Sequence, residues 1–172
     1  PVEHLFATPV ILDAIRKLDL DDLVIVSPDV GGLTRARAIA KRLDASLAVI
    51  DKRRTGKNET EILNVVGEVE GKDVLILDDI IDTAATLVQA EAALRKGGAK
   101  GTYAAAVHGV FSGPAPDRIE GSGLKTLLVT NTIPVEPAVA RCPRIRPLSV
   151  APLLGEAIQR IHDGASVSSL FV

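Results

Sequence analysis

Residues 74–87, VLILDDIIDTAATL, place four branched apolar residues before two adjacent aspartates, Asp78 and Asp79. A third, Asp82, follows, and then Thr83, Ala84, Ala85 and Thr86. Adjacent carboxylates repel each other, and the apolar run that delivers them is of a kind that folding buries. A ligand carrying both hydroxyls and a phosphate accounts for the mixture. Asp78 and Asp79 are acceptors suited to sugar hydroxyls, and Thr83 and Thr86 are donors suited to phosphate oxygens. A helix starting near residue 84 adds unpaired amides and the positive end of its dipole, both of which favour an anion. The stretch reads as a sugar-phosphate cradle. The plainer alternative is a capped helix, with Asp82 or Thr83 as N-cap and the other acids solvated. Capping uses only one side chain, so that alternative leaves the doubled aspartate without a reason.

Two other stretches carry charge chemistry. In VIVSPDVGGLTRARAIAKRL, Gly31 and Gly32 allow close backbone approach to a diphosphate. Asp29 stands where a hard cation bridging phosphate oxygens would want a carboxylate; equally, PDVGG read alone is only a turn. DKRRTGKNE brings Lys52, Arg53, Arg54 and Lys57 together directly after an apolar run. Such cations lower the barrier to moving a phosphoryl or diphosphoryl group, where charge builds on the phosphate oxygens. A basic run taken alone more often marks a solvated face. His108 falls at the end of an apolar run with no nucleophile to pair with and reads as structural. Cys142, before Pro143, has no evident basic partner and reads as inert.

These residues need a scaffold that presents loops at one edge. Short β-branched runs at 23–27, 46–50, 73–78, 102–108, 124–130 and 144–150 alternate with helical patterns at 9–17, 33–43, 84–96 and 151–162. Near-continuous apolar strands alternating with helices predict a three-layer α/β domain, its mostly parallel sheet covered on both faces. In such sheets ligands bind beyond the carboxyl ends of the strands, so a turn beginning at Asp78 would bring both adjacent acids to one ligand. The segment 51–72 breaks the rhythm. Its charged first half reads as a functional loop, and EILNVVGEV as a hairpin.

With 172 residues, 47% of them apolar and 2% aromatic, the chain is one domain with an aliphatic core. A net charge of −2 gives no electrostatic case for nucleic acid or an anionic membrane. No apolar run is long enough to span a bilayer, no signal peptide is evident, and a single cysteine suits the reducing cytoplasm. The absence of methionine, even at position 1, predicts a fragment or a processed product.

Taken together, VLILDDIIDTAAT, VSPDVGG, DKRR, HGVFSGPA, VTNTIP and SVSSLF resemble, in order, the ribose-phosphate diphosphokinases (phosphoribosyl-pyrophosphate synthetases). The resemblance implies a type I phosphoribosyltransferase-like fold. It also implies transfer of the diphosphoryl group of Mg·ATP to the 1-hydroxyl of ribose 5-phosphate, giving phosphoribosyl pyrophosphate and AMP for nucleotide biosynthesis. Residues 1–172 would form the C-terminal domain, with a mobile catalytic loop at about 52–66. Lys52 and Arg54 would be catalytic, and Arg54, Asp78, Asp79, Asp82, Thr83, Ala84, Ala85 and Thr86 would bind ribose 5-phosphate. Asp29, Val30, Gly31 and Gly32 would face the diphosphate, with Asp29 also a Mg²⁺ ligand. Ser166, Ser168 and Phe171 would join a regulatory phosphate or nucleotide site in a homo-oligomer, expected to be a hexamer. The family's N-terminal domain supplies a metal-binding histidine and much of the adenine pocket, so this chain alone is expected to turn over little or not at all. The family usually has glycine where Ala85 stands; Ala85 is therefore expected in the first helical turn, where a methyl group is tolerated. Phosphoribosyltransferases share the aspartate loop but not DKRR with SVSSLF, and a non-catalytic regulatory homologue remains a further alternative.

Overall fold

The computed structural model describes residues 2–53 and 62–170, and only the backbone of Lys52, Arg53, Ile62 and Leu63. Arg54 and Phe171 therefore lie outside the described residues. Within them the chain forms a seven-stranded sheet in the order β3-β2-β1-β4-β5-β6-β7. The strands are β1 Val24–Ser27, β2 Ser46–Arg53, β3 Ile62–Val66, β4 Asp73–Ile81, β5 Gly101–Gly109, β6 Thr126–Thr130 and β7 Ile145–Leu148. Neighbours pair in parallel except β3, which runs antiparallel to β2.

The helices are α1 Thr8–Arg16, α2 Leu33–Leu43, α3 Ala85–Lys96, α4 Ala115–Glu120, α5 Glu136–Arg141 and α6 Ala151–His162, followed by a single 3₁₀ turn, Ser168–Leu170. Alternate strand residues divide the core in two. Val24, Val26, Val74, Ile76, Ala104, Leu127 and Ile145 pack with Leu87, Ala90 and Leu94 of α3 and with residues of α4 and α5. Ile25, Leu75, Leu77, Ala105 and Leu128 pack on the other face with Ile11, Leu12 and Ile15 of α1 and with Ala36, Ile39 and Ala40 of α2. Both faces being covered is why β1 and β6 are buried at every residue and read as near-continuous apolar runs, with only Ser27, Thr126 and Thr130 polar.

The sheet positions the loops. Strand order runs outward from β1 in one direction and from β4 in the other, so these hydrogen-bonded neighbours form the point where the winding reverses. The helix leaving β1 covers one face and the helix leaving β4 the other, which opens a crevice at the carboxyl ends of these two strands.

Three expectations need correction. β4 does not yield to a turn at Asp78; its pairing with β5 continues to Ile81, opposite Gly109. EILNVVGEV is no hairpin in itself, because Ile62–Val66 is one strand laid against Val49–Arg53 of β2. The loop expected at 52–66 is accordingly narrower at both ends, since the β-branched and leucine residues of 62–66 extend the sheet; residues 54–61 lie outside the described residues.

Candidate functional site

Asp29, Asp78, Ile80, Ile81, Asp82, Thr83, Ala84, Ala85, Thr86 and Leu87 line a single cleft of about 210 Å³ at the reversal point. Two loops distant in sequence thus meet: the one after β1 and the one after β4. Because β4 remains a strand through both adjacent acids, they keep strand alternation and turn to different sides. Asp78 enters the cleft with Asp29 and Asp82. Asp79 does not line it; its Oδ2 instead takes a hydrogen bond from Arg35 Nη2 at 3.1 Å, an ion pair with α2.

The electrostatics follow from this division. Burial pushes the Asp78 carboxyl up to about 6, with the adjacent Asp79 and more distant Asp29 adding in the same direction; the Asp79 N–H, donating to Asp78 Oδ1 at 2.8 Å, partly opposes them. For Asp79 burial also acts upward, but the hydrogen bond and charge of Arg35 outweigh it and hold this carboxyl below its ordinary value. The site therefore keeps one acid firmly ionised and the other close to protonation. Two carboxylates, Asp29 and Asp78, facing one cleft are an arrangement that a cation would relieve.

The far end of the cleft, at the start of α3, is built from backbone. α3 starts at Ala85, and its N-cap residue, Ala84, has φ 59 and ψ 7, with no side-chain hydrogen bond capping the helix. Asp82 and Thr83 do not cap it, so the cap alternative fails and the first-turn amides are not occupied by those side chains. Ala85 is in the first helical turn, as expected; the left-handed residue is its neighbour Ala84, which carries a methyl in a conformation costing L-residues roughly 1–2 kcal/mol. In the connection after β5, Phe111 is also left-handed at φ 52, and its ring occupies the space that a Cβ on Gly109 would need. Strain of this kind persists only where surrounding contacts over-determine the backbone.

The loop after β1 is tied differently. Buried Ser27 donates to the Asp29 carbonyl at 2.7 Å, and the Gly32 N–H donates to Asp29 Oδ1 at 2.9 Å. Gly32 has ordinary helical angles, φ −80 and ψ −7, so its need is space: a Cβ there would meet Ser27 Oγ at 2.8 Å. Val30, Gly31 and Gly32 form the turn but do not line the cleft; Asp29 does. One Asp29 oxygen is committed to Gly32, and the other is the carboxylate oxygen this loop has for a hard cation. A single carboxylate with phosphate oxygens and water completing the shell is an ordinary way to hold Mg²⁺, so the donor set fits. Among the described residues no group of three or more His, Cys, Asp or Glu forms a protein-only metal cage.

Elsewhere, His108 Nδ1 lies 2.8 Å from Thr132 Oγ1, the satisfied structural histidine expected. The Cys142 thiol is buried, 3.3 Å from Glu120 Oε2, and burial raises its pKa, which suits an inert role. Ser166 and Ser168 sit together, Oγ to Oγ 3.1 Å, and Arg160 donates to the Ser166 carbonyl at 3.2 Å and to Ser169 Oγ. Sequence reasoning missed Ser27, Arg35, Arg118 and Arg160. The first two fall within a quoted stretch, but the partners of all four depend on contacts that no local pattern displays. Among the described residues no helix is long and apolar enough to cross a membrane.

Residues 53–172 match the family model described as phosphoribosyl synthetase-associated domain. The chain is 54% identical to a ribose-phosphate pyrophosphokinase of Gloeobacter violaceus over 99% of this chain and 52% of that protein. It is 51% identical to the chloroplastic ribose-phosphate pyrophosphokinase 1 of Arabidopsis thaliana, over 100% of this chain and 43% of that protein. The chain thus spans about half the length of the curated relatives it matches. Among solved structures, the phosphoribosylpyrophosphate synthetase from Mycobacterium smegmatis gives a TM-score of 0.86 at 38% identity, covering 96% of this chain and 53% of that one. A purine phosphoribosyltransferase from Pyrococcus horikoshii gives 0.52 at 28% identity, covering 62% and 74%. The motif resemblance and the expected sheet architecture are both borne out: the chain has the type I phosphoribosyltransferase fold and belongs to the phosphoribosyl synthetase-associated domain family.

Proposed function

We propose that this chain is the C-terminal catalytic domain of a ribose-phosphate diphosphokinase. The observation that carries the reading is the convergence of Asp29 with the Asp78–Thr86 loop in one crevice, beside a helix start that no side chain caps. In this reading the amides and hydroxyls of Thr83–Thr86 receive the 5-phosphate, Asp78 and Asp82 accept from ribose hydroxyls, and Asp79 serves from the rim while Arg35 keeps it ionised. Asp29 would hold Mg²⁺, which would supply neutralisation of charge on the phosphate oxygens. Val30, Gly31 and Gly32 shape the approach of the diphosphate.

The 1-hydroxyl of ribose 5-phosphate attacks the β-phosphorus of ATP and gives up its proton as the new P–O bond forms. The bond from that phosphorus to the α-phosphate oxygen breaks with its electron pair on that oxygen, and AMP leaves. Lys52 and Arg54 stabilise the charge that develops on the transferred group, and closure of their loop excludes water. Ser166, Ser168 and Phe171 belong to a regulatory anion or nucleotide site, to which Arg160 adds a guanidinium. The whole protein works in the cytoplasm as a homo-oligomer, a hexamer.

The test is an assay of a full-length protein carrying this domain, with ATP and ribose 5-phosphate as substrates and AMP as readout. Lys52→Ala should lower kcat by at least a hundredfold, in line with removal of a transition-state donor. An unchanged rate would defeat the assignment of Lys52, and no AMP from the unaltered protein would defeat the reading itself.

A further inference from the structure

Three successive carbonyls of the phosphate loop are held from one side. Ile81 O accepts from the N–H groups of Val110 at 2.9 Å and Phe111 at 3.2 Å, and Asp82 O accepts from Ser112 N–H at 3.1 Å. Thr83 O accepts from Arg118 Nη1 at 2.9 Å. All of these donors belong to the connection after β5 or to α4. In a trans peptide the carbonyl and the following N–H point in opposite directions. Holding these three oxygens therefore turns the amides of Asp82, Thr83 and Ala84 away from the donors, and these same residues line the cleft.

Two of the three ties are made by main-chain groups and are proof against side-chain substitution. The third is made by a side chain, and it acts on the peptide next to Ala84, the residue held at positive φ. We propose that Arg118 is a positioning residue for anion binding: it stands behind the loop, outside the cleft, and keeps the Thr83–Ala84 peptide turned so that its amide faces the phosphate. This inference rests on the reading of the cleft as a phosphoester site. A guanidinium is suited to the task because its donors are planar and fixed in direction, whereas an ammonium supplies only a compact charge. Arg118 is itself exposed, so its removal does not open the core.

The test uses this chain labelled with ¹⁵N and titrated with ribose 5-phosphate, inorganic phosphate and ribose, as the unaltered protein and as Arg118→Ala and Arg118→Lys. The unaltered protein should give saturable shifts at the amides of residues 83–87 with both phosphate compounds and none of comparable size with ribose. Arg118→Ala should bind the phosphate compounds roughly tenfold more weakly, the scale of one lost charge-assisted hydrogen bond, with the Ala84 amide losing most of its response. Guanidinium ion at a non-denaturing concentration should restore binding to Arg118→Ala, and methylammonium should not. Arg118→Lys should fall between the two.

Equal affinity in the unaltered and Arg118→Ala proteins overturns the role of Arg118 and leaves the cleft reading intact. Weaker binding with a lowered unfolding midpoint and no recovery by guanidinium also overturns it, because Arg118 then matters only to the fold. Absence of any saturable response in the unaltered protein removes the cleft reading, and this inference with it.

Discussion

Asp78 and Asp79 are neighbours in sequence with opposite electrostatic fates. The folded state raises Asp78 from 3.8 to about 6, so between those values the native protein binds a proton that the unfolded chain has released. Stability conferred by that proton is present at low pH and is lost as pH rises through the window. Asp79 runs the other way: its carboxyl is lowered, so the contribution of its pairing with Arg35 is present above the unfolded value and lost on acidification. Asp78→Asn should therefore stabilise the chain at pH 7 by about 1–2 kcal/mol, allowing for the partial exposure of the carboxyl. The gain should shrink toward zero near pH 4. Denaturant unfolding of both proteins at the two pH values checks this, and a gain of the same size at both would show that the buried charge is not its source. The acids themselves are plain in the sequence. What is not legible there is the partner of Asp79, because Arg35 lies a whole crossover earlier and meets it only through the pairing of β1 with β4.

At the scale of elements, the turn into α3 concentrates the conformational cost. Ala84 is left-handed and Ala85 is helical, so glycine should have opposite effects at the two positions. Ala84→Gly removes the Cβ penalty and should stabilise by about 0.5–1 kcal/mol. Ala85→Gly adds backbone entropy to the unfolded chain with no strain to relieve and should destabilise by about 0.5–1 kcal/mol. Thermal unfolding of the two variants side by side measures the difference, and the same sign for both would place the strained residue elsewhere. Helix and strand positions were readable to within a few residues, because apolar periodicity follows from which face is buried. α2 and α6 fall on the residues expected, while β4 runs three residues past its expected end at 78 because pairing with β5 outlasts the apolar run. The short helices α4 and α5 were not anticipated; each has only six residues, too few to display a helical period. β3 is not legible for a related reason, since a strand at the sheet edge shows its pairing only once its partner is known.

For the molecule as a whole, stability resides in the two aliphatic layers against the sheet and much less in α6. Leu127 is fully buried, whereas Leu154, Ile158 and Ile161 of α6 are 48%, 68% and 59% exposed. Leu127→Ala should cost this chain about 2–5 kcal/mol through the lost contacts and the cavity left behind. Ile158→Lys should stay within about 0.5 kcal/mol of the unaltered protein. Chemical denaturation distinguishes the two, and a loss of several kcal/mol from Ile158→Lys would show that α6 is packed in solution. The three-layer architecture was legible because both faces of the sheet leave apolar strands in the sequence. The order of those strands was not, since nothing local says that β4 returns beside β1.

That adjacency has a metric consequence. The loop bearing Asp29 and the loop bearing Asp78 spring from strands joined by their own ladder, Val26 beside Ile76, so their bases stand one ladder rung apart, about 4.8 Å. Side-chain changes in either loop can alter what is held there, but the gauge on which both are mounted belongs to the main chain. The separation between whatever the two loops hold is thus dictated by hydrogen-bond spacing common to all sheets, and chemistry can vary on this crevice without any need to recalibrate its width.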